Sequence, residues 1–192
     1  DIAVSGDYAY VADGSTVRIV NIANPTAPVE TGFYDTPGWA QGVEVNSDYA
    51  YVADREGGLR IVNISNPLIP TESGSYATPG NAVGVAVSGD YAYVADYGRR
   101  LRIMDVSDPT HPREIGFYDT PAPAWGVVVS EDYAYVAVQG AGLRIVDISN
   151  PTAPNETGSY DTPGYAWDVV VSGAYAYVAD GESGLYIVDV SD

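Results

Sequence analysis

Short apolar runs of about five residues, each closed by Ser, Gly, Asp, Asn or Pro, recur along the whole chain with no helical period. Residues 84–125 show one full cycle. Gly84-Val85-Ala86-Val87 ends at Ser88-Gly89-Asp90, and Tyr91-Ala92-Tyr93-Val94-Ala95 ends at Asp96-Tyr97-Gly98. Leu101-Arg102-Ile103-Met104-Asp105-Val106 runs into Ser107-Asp108-Pro109, and Glu114-Ile115-Gly116-Phe117-Tyr118 stops at Thr120-Pro121. Turn formers bound each run, so the cycle predicts four strands. Side chains alternate along a strand, which puts Tyr91 and Tyr93 on one face of the second run and Ala92 and Val94 on the other. Neither face is polar. The pattern predicts a sheet covered on both sides, with large residues of one sheet filling the space over small residues of the next.

The cycle repeats. Tyr-Ala-Tyr-Val-Ala starts at Tyr8, Tyr49, Tyr91, Tyr133 and Tyr175, at intervals of 41, 42, 42 and 42 residues. Such a period marks a repeat array, and four-stranded antiparallel sheets repeated at this length form a β-propeller. The fold class is therefore all-β, with units 1–41, 42–83, 84–125 and 126–167 complete and a partial unit 168–192, together one domain over 1–192. Small Gly42, Gly84 and Gly126 open their units, as the crowded centre of such an array requires. The fifth unit supplies three strands. Either five blades close into a ring, or the chain is part of a larger propeller. In the second case 185–190 is an open edge strand, through which the chain associates with itself or with further sequence. The chain opens inside a repeat, which fits a processed end or a cut within a longer protein.

The third strand reads Val17-Arg18-Ile19-Val20-Asn21, Leu59-Arg60-Ile61-Val62-Asn63, Leu101-Arg102-Ile103-Met104-Asp105, Leu143-Arg144-Ile145-Val146-Asp147 and Leu185-Tyr186-Ile187-Val188-Asp189. With the preceding Tyr-Val-Ala-Asp and the following Ser/Ala-Asn/Asp-Pro-x-x-Pro, this resembles the LVIVD repeat family across the whole chain. Arg or Tyr replaces the second-position Val, and two units end in Asn. The resemblance implies a β-propeller of a cell-surface or exported protein.

Composition narrows the partners. The formal net charge is −18, from 8 basic and 26 acidic residues. A surface this negative repels phosphate backbones and anionic membranes, which excludes nucleic acid. No run approaches the ~18 apolar residues of a membrane helix, so insertion is not expected. There are no cysteines, hence no disulfide or thiolate chemistry. The acidity fits solubility in an exported setting.

Catalytic constellations are sparse. His111 is the single histidine and sits in a loop where other units carry Ala27 and Ala153. No nucleophile elbow, zinc helix or phosphate loop is present. No cofactor is expected. Calcium binding stays open, although no D-x-[DN]-x-[DN]-G loop occurs. Asp13, Asp54, Asp96 and Asp180 end the second strand and are read as turn residues, a series that Val138 interrupts. Asn21, Asn63, Asp105, Asp147 and Asp189 are read as caps of the following loop. Asn63 and Asn155 fit the glycosylation acceptor pattern.

Departures from the repeat carry the candidate binding surface. Strand order places the loop between the second and third strands on the same face as the linker into the next unit, and all three tryptophans fall in linkers. Trp39, Arg55, Arg99, Arg100, Trp125, Tyr165 and Trp167 are the candidate binding residues for a protein or glycan. The reading is a non-enzymatic interaction or structural module. The alternative is a hydrolase or lyase using acidic residues of the central pocket, with Asp1, Asp168 and Glu44 as the groups to watch, and Arg55 beside Glu44.

Overall fold

The computed structural model describes residues 1–191. Among the described residues eighteen strands make five antiparallel sheets, one per sequence unit, and a 3-10 turn spans Gly181–Ser183. Blade 1 holds β1 (Ile2–Ser5), β2 (Tyr8–Asn21) and β3 (Val29–Ala40). Blade 2 holds β4 (Gly42–Asn46), β5 (Tyr49–Ala53), β6 (Leu59–Asn63) and β7 (Thr71–Tyr76). Blade 3 holds β8 (Ala82–Ser88), β9 (Tyr91–Asp96), β10 (Arg100–Asp105) and β11 (Arg113–Asp119). Blade 4 holds β12 (Ala124–Ser130), β13 (Tyr133–Val138), β14 (Gly142–Asp147) and β15 (Asn155–Tyr160). Blade 5 holds β16 (Asp168–Ser172), β17 (Tyr175–Ala179) and β18 (Leu185–Asp189).

Strands neighbour one another in chain order, as consecutive hairpins dictate. The pairing repeats in register: Tyr49 faces Asn63, Tyr91 faces Asp105, Tyr133 faces Asp147 and Tyr175 faces Asp189. In blade 1 the second and third runs merge into the long β2. The chain still doubles back there, because the Ile22 N–H donates to the Asp7 carbonyl at 2.8 Å. The third strand ends as expected: backbone N–H groups of Ala23, Ser65, Ser107, Ser149 and Ser191 donate to the side chains of Asn21, Asn63, Asp105, Asp147 and Asp189.

The hydrophobic core is not central. It consists of four separate clusters, each lying between successive blades. One face of a blade contributes Tyr, Ala, Leu and Ile, and the facing blade contributes Val and Ala. Tyr93, Leu101 and Ile103 of blade 3 pack on Ala134, Val136 and Val146 of blade 4, and Tyr135 and Leu143 of blade 4 pack on Val169, Ala176 and Val178 of blade 5. The large-on-small pattern read from the sequence is the packing rule of the array. Inner strands approach so closely that a Cβ on Gly84 would come within 2.3 Å of the Trp125 carbonyl oxygen.

The two ends lack such cover. Ile2 and Val4 of blade 1 are 58% and 63% exposed, and Leu185 and Ile187 of blade 5 are 64% and 61% exposed. β18 is the outer strand of its sheet.

Candidate functional site

The strand-ending aspartates set the geometry of one propeller face. Asp54, Asp96 and Asp180 are fully buried. Asp54 and Asp180 reach back to the incoming linker, accepting the Gly38 N–H at 2.9 Å and the Gly164 N–H at 2.8 Å. Asp96 accepts its own turn's Gly98 N–H at 2.8 Å and lies against Gly80 of the linker, where a Cβ would come within 1.8 Å of Oδ1. The arginine that departs from the third-strand pattern completes the latch. Arg102 donates to Asp96 at 2.5 Å and to Glu114 at 2.7 Å, and its side chain is only 4% exposed. Arg60 stands 3.6 Å from both Asp54 and Glu72. Burial pushes the Asp54 carboxyl above its ordinary range, opposed by the Gly38 N–H and Arg60.

Blade 4 lacks the carboxylate, and its linker changes with it. Val138 stands where the others have Asp, and Ala122 stands where Gly38, Gly80 and Gly164 stand. Both belong to the apolar cluster between blades 3 and 4. Arg144, without its aspartate, donates to Asp161 and to the Ala141 carbonyl. Asp54 and Asp180 thus fasten linkers by hydrogen bonds, while Asp96 holds its own turn and packs against the linker.

These latches hold linkers beside loops. The Tyr97 N–H donates to the Asn81 carbonyl, the Gln139 N–H to the Pro123 carbonyl, and Arg55 exchanges backbone hydrogen bonds with Ala82. Tyr97, Trp125 and Trp167 form a continuous aromatic cluster. Trp125 meets Tyr97 edge-on at 5.5 Å between centroids and Trp167 at 4.4 Å. The Trp125 indole N–H is buried and, among the described residues, has no hydrogen-bond partner. Trp39 and Tyr165 lie further out, 56% and 58% exposed, with their rings over the loop glycines Gly14 and Gly140. Trp125 and Trp167 wall a concavity of about 280 Å³ together with Asp1, Gln41 and Asp168. Arg55 borders an adjoining hollow with Tyr97 and Trp125, its guanidinium donating to Gln41 at 2.6 Å.

The two remaining arginines part company with this group. Arg100 is paired with Asp119 at 2.7 Å and lies 3.9 Å over the Phe117 ring, on the outer strand of its own blade. Arg99 is exposed on a left-handed turn residue, φ 67°, and its carbonyl accepts the Thr120 N–H. Tyr97, absent from the sequence-based candidates, joins the cluster instead. Its position in the longest second-to-third-strand loop was the available signal.

Asp1 and Asp168 both line the concavity, whereas Glu44 does not. Burial raises the Glu44 carboxyl above its ordinary range. Among the described residues no group of three or more His, Asp or Glu side chains is placed to hold a metal ion. His111 is an exposed loop residue beside Asp108 and Thr110. The Asn63 amide oxygen is engaged by Ser65, and Asn155 is exposed. No helix among the described residues is long and apolar enough to cross a membrane.

The LVIVD repeat model matches residues 1–36, 37–78, 79–120, 122–162 and 163–192, so the chain belongs to the LVIVD repeat family. No curated protein sequence matches it. Among solved structures it is similar to a protein from Lactobacillus plantarum, with a TM-score of 0.83 and 17% identity over 98% of this chain and 69% of that one. It is similar to a functionally unknown protein from Desulfotomaculum acetoxidans, with a TM-score of 0.79 and 16% identity over 98% and 68% of the two chains. The computationally designed Ika8 protein is similar at a TM-score of 0.75 and 6% identity, over 99% of this chain and 57% of that one. At these identities the likeness is one of fold.

Proposed function

We propose that this LVIVD-repeat chain is a non-enzymatic interaction module of a cell-surface or exported protein, presenting one propeller face to a protein or glycan partner. The observation that carries the reading is the run of aromatic rings on that face, with Trp39, Tyr165 and Trp167 exposed around the buried contacts of Trp125. Aromatic rings give large contact area at little conformational cost, and an indole or phenol adds a polar edge. Rigid latches behind the linkers spare the ordering entropy that flexible loops would lose on binding. The net charge of −18 favours a basic or neutral partner over an acidic one.

A hydrolase or lyase in the concavity is the rival reading, prompted by Asp1 and Asp168 on its wall. Both carboxylates accept backbone N–H groups, from Ile2 and Val43 at Asp1 and from Val169 at Asp168. Such acceptors are structural, and Glu44 lies apart from them, which favours the binding reading.

A printed glycan array and a displayed peptide library supply the test. Selected ligands should quench tryptophan fluorescence and lose at least about tenfold in affinity in Trp39→Ala and Tyr165→Ala, with little change in melting temperature. Ligands indifferent to both changes would overturn the reading. So would hydrolysis or elimination products from the array that disappear in Asp168→Asn.

A further inference from the structure

Arg55 occupies a backbone conformation that glycine would adopt without strain. Its φ is 41°, in the left-handed region that is unfavourable for a side chain of this bulk. The same loop position, directly after the strand-ending aspartate, is Gly14 in blade 1 and Gly181 in blade 5, at φ 65° and 56°. Backbone hydrogen bonds hold Arg55 in place. Its N–H donates to the Ala82 carbonyl at 2.8 Å, and its carbonyl accepts the Ala82 N–H at 3.1 Å and the Gly58 N–H at 2.9 Å. A strained backbone fixed by its surroundings points to a use for the side chain it carries.

The charge of that side chain is uncommitted. Six of the eight arginines lie within 3.6 Å of a carboxylate. Among the described residues Arg55 and Arg99 have no such partner, and Arg99 is the exposed turn residue outside the aromatic cluster. Arg55 is half-buried, and its Nε donates to Gln41 at 2.6 Å. Its two Nη groups make no hydrogen bond among the described residues. Arg55 borders a hollow of about 220 Å³ that Asn81, Val83, Tyr97 and Trp125 complete. No carboxylate lines this hollow, in a chain with 26 acidic residues. The Trp125 ring adds an indole N–H that also lacks a partner among the described residues. Donors are in surplus here, and a charged acceptor is missing.

We propose that this hollow takes the carboxylate of a uronic acid within an otherwise neutral saccharide, held by the free fork of Arg55. The proposal rests on the aromatic face being a binding surface and names the class of its ligand. With Nε held by Gln41, the two Nη groups match the two oxygens of one carboxylate. The space admits a single sugar ring, whose C–H face can lie on the Tyr97 or Trp125 wall. From Trp125 the aromatic run continues to Trp167 at 4.4 Å, a track for the neighbouring sugars. Charge restricts the class further. The net charge of −18 repels a chain of many carboxylates. One carboxylate in contact with a guanidinium feels mainly that group, because exposed charges beyond ~8 Å are screened at physiological salt.

Neutral oligosaccharides carrying one glucuronate or one galacturonate, each with its methyl ester, are the probes, read by tryptophan fluorescence and calorimetry. At least one acid should bind, and its ester should bind at least about tenfold more weakly. Arg55→Gly should bind acid and ester alike. It should also melt about 1–3 °C above the wild type, because glycine relieves the turn. That combination separates an arginine kept for a ligand from one that serves the fold. A variant that melts below the wild type overturns the proposal, and so does an acid preference that survives in it. Failure of both acids to bind overturns it, as does a peptide carboxylate taken at Arg55 in their place. Saccharides bound with no preference for the acid overturn it while leaving the aromatic face its binding role. The wider reading fails separately, when ligands of every class are indifferent to Trp39→Ala and Tyr165→Ala.

Discussion

Blades 3 and 4 hold their incoming linkers at the same point by opposite means. In blade 3 a buried carboxylate, Asp96, sits against Gly80 and is neutralised by Arg102. In blade 4 an isopropyl group, Val138, lies in an apolar cluster with the Ala122 methyl. A carboxylate at that distance leaves no room for a Cβ on the linker, whereas a valine does. The two positions therefore change as a pair. The comparison teaches that the site demands a filled contact and is indifferent to charge, which is why the aspartate series reads as structure and not as a ring of ligands.

Breaking the charged version should cost most. Asp96→Ala leaves buried Arg102 with Glu114 as its remaining carboxylate partner, and urea denaturation is expected to report a loss of about 3–4 kcal/mol. Adding Arg102→Met should recover a large part, because well-packed apolar groups replace buried ion pairs with little penalty. If the single change is harmless, the latch does not hold the blade.

The apolar version should resist conversion unless both halves change. Val138→Asp alone places a carboxyl against the Ala122 methyl and should destabilise by about 2–4 kcal/mol. Paired with Ala122→Gly, part of that loss should return as a coupling energy of about 1–2 kcal/mol in a double-mutant cycle. Strict additivity of the two changes would sink the pairing argument.

The smallest effect lies between the blades. Burial, with a hydrogen bond to Glu156, pushes the Tyr118 phenol up to about 12. A phenol raised from about 10 contributes its stability below pH ~10 and loses it as pH rises toward 12. Tyr118→Phe should therefore flatten the fall of stability with pH in that window, as seen in melts from pH 9 to pH 12. An unchanged slope would mean that the Tyr118–Glu156 bond contributes nothing measurable.

Much of this was legible before any coordinates. The Tyr-Ala-Tyr-Val-Ala spacing located the blades, and alternation within it assigned their faces, because a strand has only two sides. The parity of four strands placed linkers and loops on one face, where Trp39, Trp125, Tyr165 and Trp167 lie. The latches were half legible. Val138 stood out as a break in the aspartate series, while Ala122 did not, since its tie to Val138 depends on how a linker crosses a sheet. Arg100 and Tyr97 exchanged importance for a similar reason. Which way a loop side chain turns follows from its partners, Asp119 and Phe117 for one and Trp125 for the other, and those partners are distant along the chain.

The placement of the apolar clusters between sheets gives the molecule the cooperativity of a one-dimensional array. No blade owns a core, so the smallest unit able to hold itself together is a neighbouring pair, and stability accrues interface by interface. Blade 3 is clamped on both sides by Tyr51, Leu59 and Ile61 before it and by Val136 and Val146 after it. Among the described residues blade 5 is clamped on one side. Local opening should then follow the number of clamped faces, like cards held on one side or on both, and the amides of β9 and β10 are expected to exchange with solvent more slowly than those of β17 and β18.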